Sequence, residues 1–244
     1  MTIAVFMIIY GVNAVIEGLR AGRVRAIRLA SFSDKTAEVR RLAAEAGVSV
    51  TRVPLAALDR TTSGRNHQGV VADATAPALL TLEELLGLAE APKLLLVLDG
   101  IEDPQNLGTI LRVADAAGVD GVIRQTRRAA SLGSVAKTSA GALAHVRLVS
   151  VVNIARALTQ LQSAGIWTVG LEADGDPLYE NFDLTLPTAL VLGNEGRGLR
   201  RLVRDRCDRV ASIPMLGCVN SLNVAVAAGV SVYEAVRQRR SVQR

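Results

Sequence analysis

Residues 94–98 read Leu-Leu-Leu-Val-Leu, an apolar run bounded by Lys93 on one side and Asp99-Gly100 on the other. A strand with one wet face alternates apolar and polar residues; this run does not, so it predicts a strand buried on both faces. Such a strand needs helices above and below it, and the chain supplies them at short intervals. A helical stretch at about 106–117 ends at Gly118, and strands follow at 119–125 and 145–151. Then come a helix at 152–165, strands at 166–173, 188–194 and 209–215, and a long helix over 221–240. This alternation predicts an α/β fold, a mostly parallel sheet with helices on both faces.

The same alternation precedes it on a smaller scale. Residues 5–11, 24–30, 48–54 and 67–74 read as strands, with helices at 12–22 and 34–47. Asp34 reads as the cap that opens the second helix. Between the two sets lies the one break in composition. Residues 74–92 contain two prolines and three glutamates and no basic residue, and read as a connector with one short helix. The organisation expected is therefore a small α/β domain over 1–73, an acidic linker over 74–92 and a larger α/β domain over 93–244.

Charge points to the partner. The net charge is +5, and only Lys35, Lys93 and Lys137 among the 28 basic residues are lysines. Arginine suits bidentate phosphate contacts, although a codon bias toward arginine gives the same composition. Three Phe, three Tyr and one Trp are few for a platform that stacks single strands, so recognition by shape and phosphate is expected. Cys207 and Cys218 make neither a disulfide framework nor a zinc cluster, which fits a reducing, cytoplasmic setting without metal. The apolar start lacks a basic n-region and is interrupted by Asn13 and Glu17, so it reads as a strand and helix rather than a leader. No membrane helix is expected.

In a parallel α/β sheet, ligands bind beyond the carboxyl ends of the strands. Three segments there are polar or rich in glycine: 99–118 (DGIEDPQNLGTILRVADAAG), 192–199 (LGNEGRGL) and 212–227 (SIPMLGCVNSLNVAVA). None is a standard nucleotide loop, since there is no early G-x-G-x-x-G and no G-x-x-x-x-G-K-[ST]. Pro104 biases Asp103 away from helix, Asn106 falls where a helix would be capped, and Gly108 permits close approach. Arg112 lies nearly two turns beyond Asn106, on about the same side. Taken alone, Asn106 reads first as a cap, Arg112 as a salt-bridge partner of Asp103 or Asp115, Glu195 as a surface carboxylate and Ser221 as a helix cap.

Together the three segments carry a resemblance. NLGTILRVADAAG, LGNEGRGL and IPMLGCVNSLNVAVAAGVSVYEA resemble, in order and spacing, the three motifs of the SpoU/TrmH family of RNA ribose 2′-O-methyltransferases. IYGVNAVIEGL and HQGVVA resemble the small, L30e-like substrate-binding domain of the branch that modifies a guanosine in the P loop of 23S ribosomal RNA. Asn220 and Ala225 stand where several relatives have serine.

The resemblance implies a C-terminal sheet threaded into a deep trefoil knot, a fold that connection rules would not propose. It implies S-adenosylmethionine as cofactor, held by Gly193, Asn194, Gly198, Ile213, Pro214, Met215, Leu222 and Asn223. The glycines of GNEGRG would let backbone approach the adenosine and methionine moieties. It assigns catalysis to Arg112, Asn106, Glu195, Ser221 and Asn223. Arg112 would position and polarise the ribose hydroxyl and bind the adjacent phosphate, Asn106 would fix the loop, and Glu195 would orient an arginine or a backbone amide. No histidine lies in the motifs; His67 and His145 read as structural. Arg20, Arg23, Arg25, Arg40 and Arg41 would join Arg112 in binding RNA, and the protein would be a homodimer. Two alternatives stand beside this reading: a transfer-RNA 2′-O-methyltransferase, and a non-catalytic RNA-binding assembly factor. A dehydrogenase-like enzyme lacks its glycine fingerprint here.

Overall fold

The computed structural model describes residues 6–76, 79–88, 93–126, 135 and 142–242. Residues 1–5 of the apolar start, 77–78 and 89–92 of the expected linker, and Lys137 lie outside them. The described residues form two compact units. The first draws on Met1–Ala78 and Ser131–His145, the second on Leu79–Ala130 and Val146–Arg244.

In the first unit, strands β1 (Phe6–Tyr10), β2 (Val24–Leu29), β3 (Ser49–Arg52) and β4 (Val70–Thr75) form one sheet in the order β1-β4-β2-β3. Only β2 and β3 run parallel; β4 is antiparallel to both β1 and β2. Helix α1 (Val12–Arg20) buries Val15 and Leu19, and α2 (Ala37–Glu45) buries Val39 and Ala43. Asp34 does not open α2. Ser33 and Thr36 make a reciprocal capping box around a short 3-10 turn, Asp34–Thr36, and α2 follows that turn. The sequence reading missed α3 (Leu55–Thr62), which starts directly after Pro54 and buries only Leu58 and Thr62, too few positions to display a helical period. His67 is structural as expected: its Nε2 lies 3.1 Å from Asp59 and its Nδ1 accepts from the Gly69 N–H.

The second unit holds a six-stranded, all-parallel sheet. Its strands are β5 (Leu94–Leu98), β6 (Gly121–Gln125), β7 (Leu148–Val151), β8 (Trp167–Leu171), β9 (Thr188–Leu192) and β10 (Arg209–Ala211), in the order β10-β8-β9-β5-β6-β7. All five residues of β5 are buried, as the unbroken apolar run required. One face packs against α4 (Leu82–Gly87), α6 (Ile154–Ser163) and α7 (Arg201–Arg204), through Leu82, Leu85, Leu158, Leu161 and Val203. The other helices are α5 (Pro104–Ala116), which buries Leu107, Ile110 and Leu111, and α8 (Val224–Val242), which packs against α5 and β9.

The units differ from the sequence reading in two places. Helix α4 is seated in the second core, where Leu85 fills the space that Gly121 leaves by having no Cβ. The turn Ala142–Ala144 contacts α1, and His145 Nε2 lies 3.0 Å from Glu17, so this late segment clusters with the first unit. Chain order alone does not reveal that return. None of the helices among the described residues is long and apolar enough to cross a membrane.

Candidate active site

Strands β5 and β9 lie side by side, and their chains leave in different directions: β5 continues into α5, and β9 into a tight loop toward α7. This is a topological switch point, where a crevice opens beyond the strand ends. Asp103 caps α5 by accepting from the Gln105 N–H at 3.0 Å, and Pro104 takes the first helical position. Asn106 is thus inside the first turn and is not the cap the sequence suggested. The reason is that Asp103 already has the extended backbone that Pro104 imposes.

The loop after β9 closes on itself. Asn194 and Gly198 exchange backbone hydrogen bonds of 3.0 and 2.9 Å. A Cβ at Gly193 would overlap the Gly198 carbonyl carbon and the Leu199 nitrogen, and Gly198 has φ +64° with the Glu172 carboxylate where its Cβ would be. The chain's own backbone and side chains already require these two glycines. Asn194 also donates to the Gly100 carbonyl at 2.7 Å. Asp99, 1% exposed, accepts from the Arg200 N–H at 2.9 Å and from Arg200 Nε at 2.7 Å. Glu172 accepts from the Leu199 N–H. Sequence reasoning missed Asp99 and Glu172, yet both carry one signal: a carboxylate directly after an apolar strand.

One chain of hydrogen bonds joins the three motif segments. Asn106 Nδ2 donates to Glu195 Oε1, and to Asp103 Oδ2 at 3.0 Å. Asn223 Nδ2 donates to Asn106 Oδ1 at 3.0 Å. Asn223 Oδ1 in turn accepts from the Ala225 N–H at 2.9 Å. Asn223 therefore caps α8, and the exposed Ser221 does not, which corrects the capping role suggested for Ser221. Glu195 holds a side-chain amide, where an arginine or a backbone amide was expected. Its carboxyl is pushed above the usual range by burial and then by the charge of Asp103. Arg112 is exposed on α5 and, among the described residues, has no hydrogen-bond or ion-pair partner, so the expected salt bridge to Asp103 or Asp115 is absent.

Beside this relay lies a cleft of about 640 Å³. Leu171, Leu192, Ile213, Met215, Leu222 and Val224 give it apolar walls; Glu172, Asn194, Glu195, Ser221, Arg197 and the pair Arg204–Asp174, 3.2 Å apart, give it polar ones. Of the positions expected to hold a cofactor, Gly193, Asn194, Gly198, Ile213, Met215 and Leu222 line it, whereas Pro214 and Asn223 do not. The volume is in the range of small-molecule sites. Apolar walls suit a purine, and charged groups of both signs suit a ligand that carries a cation and a carboxylate, so the residues present fit a cofactor of that kind. No cluster of metal ligands occurs among the described residues.

The arginines expected to bind RNA divide into three groups. Arg20 is paired with Glu17 and Glu38, each at 2.8 Å, and Arg41 with Glu45 at 2.6 Å. Arg25 lies over Phe6 and Arg40 over Phe32, at 5.4 and 5.3 Å from the ring centroids. Arg23 is half-buried, and that burial lowers its pKa from the ordinary guanidinium value.

Comparison with known proteins bears on both units. Residues 93–233 match the model of the SpoU rRNA Methylase family, and residues 8–80 match the model for RNA 2′-O ribose methyltransferase substrate binding. The chain is 44% identical over 239 residues to the 23S rRNA (guanosine-2′-O-)-methyltransferase RlmB of Xanthomonas campestris, covering 95% of this chain and 96% of that one. It is similar to the SpoU methyltransferase AviRb of Streptomyces viridochromogenes, solved in complex with AdoMet, with a TM-score of 0.81 and 30% identity. That match covers 97% of this chain and 91% of AviRb. The TrmH/SpoU tRNA modifying enzyme of A. aeolicus matches with a TM-score of 0.57 and 29% identity, over 66% of this chain and 82% of that one.

Proposed function

The chain belongs to the SpoU rRNA methylase family, the RNA 2′-O-methyltransferases, and from that premise we propose that it methylates the ribose 2′-OH of a guanosine in 23S ribosomal RNA. The observation that carries the reading is the relay Glu195–Asn106–Asn223, which ties all three motif segments to one point beside a cleft of cofactor size. S-adenosylmethionine, bound there, supplies an electrophilic sulfonium methyl group. Asn106 is fixed on both sides, by Glu195 and Asp103 through its amide N–H groups and by Asn223 through its carbonyl. Its place in the first turn of α5 sets the register of the helix that carries Arg112. An arginine keeps its proton in water, so Arg112 acts as a planar fork: it positions and polarises the 2′-OH and grips the neighbouring phosphate. Holding hydroxyl and methyl carbon in line supplies most of what such a transfer needs.

The ribosomal target rests on coverage. The guanosine methyltransferase of X. campestris aligns along both units, whereas the tRNA modifying enzyme covers only 66% of this chain. Within this reading the first unit, matching the substrate-binding model over 8–80, takes the RNA, and the second carries the chemistry. The trefoil knot belongs to the reading too. Its support is the match of residues 93–233 to the SpoU family model, whose fold the resemblance implies is knotted. So does the homodimer, supported by Val226 and Tyr233, which α8 leaves half-exposed. A protein acting on ribosomal RNA works in the cytoplasm, where the free thiols Cys207 and Cys218 stay reduced. Mapping 2′-O-methyl groups on ribosomal and transfer RNA, from cells with and without the protein, tests the target. One guanosine of 23S RNA should lose its methyl group. A loss confined to transfer RNA overturns the assignment.

A further inference from the structure

The first unit leaves part of one sheet face uncovered among the described residues. Alternation places Phe6, Ile8 and Tyr10 on one face of β1 and Ile9 on the other, where Ile9 meets α1 at Gly18. On the first face, α3 covers only the Tyr10 end, through a cluster of Leu58, Tyr10 and Val71. A groove of about 700 Å³ runs along the rest, lined by Phe6, Ile8, Tyr10, Arg65 and Asp73 among others. Phe6 is 63% exposed and Ile8 40%.

Arginines border the apolar floor. Arg25 lies 5.4 Å from the Phe6 ring centroid and donates to Thr75 at 3.3 Å. Arg28 binds Asp73 at 2.6 Å, while its Nε is buried with no hydrogen-bond partner. Arg65 donates to the Tyr10 hydroxyl at 3.4 Å. In the lining Arg65 and Asp73 carry charge; Arg28, paired with Asp73, and Arg25, over Phe6, stand at its rim and tip the balance to positive. An exposed aromatic ring flanked by arginines complements a polyanion that also presents flat apolar faces. That description fits an unpaired stretch of RNA, since every base has a face for stacking and every linkage a phosphate. A protein segment would use the apolar floor but not the excess of positive charge.

Resting on the reading that the first unit takes the RNA substrate, we propose that this groove seats an unpaired base of that RNA against Phe6, with Arg25, Arg28 and Arg65 on the flanking phosphates. The contact divides into a stacking part at Phe6, independent of salt, and a phosphate part at the arginines, dependent on it.

The test uses the full chain and a 23S ribosomal RNA hairpin with an unpaired loop, with binding measured at several salt concentrations. Phe6→Ala should weaken binding by about ten-fold or more with the salt slope unchanged, and Phe6→Trp should restore it. Arg28→Ala should weaken binding and make the slope shallower by about one unit. In a Trp167→Phe background, the fluorescence of Phe6→Trp should be quenched when the hairpin is added, a readout that also covers a poorly stable alanine variant. Unchanged affinity in Phe6→Ala, beside a wild type that binds and methylates the RNA, overturns the proposal alone. A tryptophan at position 6 that is indifferent to RNA overturns it too, and says that the groove is filled by protein. A wild-type chain that binds no ribosomal RNA overturns the parent reading and the proposal together.

Discussion

Arg112 is exposed and, among the described residues, unengaged, on a helix whose first turn is held by a carboxylate-amide relay; that combination suits a side chain kept for a substrate. Arg112→Ala should lower methyl transfer by at least about a hundred-fold, as removal of a transition-state donor does, while S-adenosylmethionine affinity, read by calorimetry, stays within a few-fold. Arg112→Lys should fail as well, because a point charge does not replace a fork. Cofactor affinity lost in parallel with activity contradicts the assignment. Glu195→Gln keeps an oxygen that can accept from Asn106 and should retain more activity than Glu195→Ala. The raised pKa of Glu195 also fixes a sign. Its contribution to stability is complete below the unfolded pKa and is lost as pH rises through the folded value. Thermal unfolding of Glu195→Gln should therefore lose less stability than wild type as pH rises above the ordinary carboxylate value of about 4. The two thiols give a further check. Burial, and then the charge of Asp208, push the Cys207 thiol up to about 12, whereas Cys218 is exposed. A thiol reagent at neutral pH should modify Cys218 quickly and Cys207 only on unfolding.

The loop after β9 is where packing and function meet. Gly193→Ala should cost about 3 kcal/mol or more, because the overlap is with backbone that cannot turn aside, and the cleft should be lost with it. Gly196 has open space around it and only its φ of +80° to defend, so Gly196→Ala should cost roughly 1–2 kcal/mol. Equal losses in thermal unfolding would contradict this ranking. These glycines also mark the limit of sequence reading. That the loop was special was legible from its place after an apolar strand. What the glycines avoid was not, since their neighbours at 198–199 and at Glu172 are set by tertiary closure. The same limit explains the caps. Asn106 and Asn223 were singled out correctly as polar residues near helix starts, but which residue caps depends on backbone angles, and Asp103 and Asn223 took those positions. The six parallel strands were legible because each is a short apolar run with a turn behind it; α3 and α7, short and without a clear apolar face, were not.

The whole molecule falls into two units, Met1–Ala78 with Ser131–His145 and Leu79–Ala130 with Val146–Arg244, where domains over 1–73 and 93–244 with a linker between were expected. Helix α4 belongs to the second core, so a chain beginning at Leu79 should unfold at a higher temperature than one beginning at Ala91. Equal melting of the two would mean that Leu82 and Leu85 contribute nothing. Either truncation also removes the partner of His145, because Glu17 lies in the first unit. Both should bind S-adenosylmethionine and lose most affinity for ribosomal RNA, with a shallower salt dependence. If this fold transfers a methyl group to a ribose oxygen of RNA by means of Arg112, the product depends on that one side chain. Mass analysis of nucleosides, from 23S RNA incubated with S-adenosylmethionine and either the wild-type chain or Arg112→Ala, tests it most directly. The wild type should yield 2′-O-methylguanosine and the variant none; methylation of a base, or a 2′-O-methyl product that survives loss of Arg112, would contradict the role of Arg112.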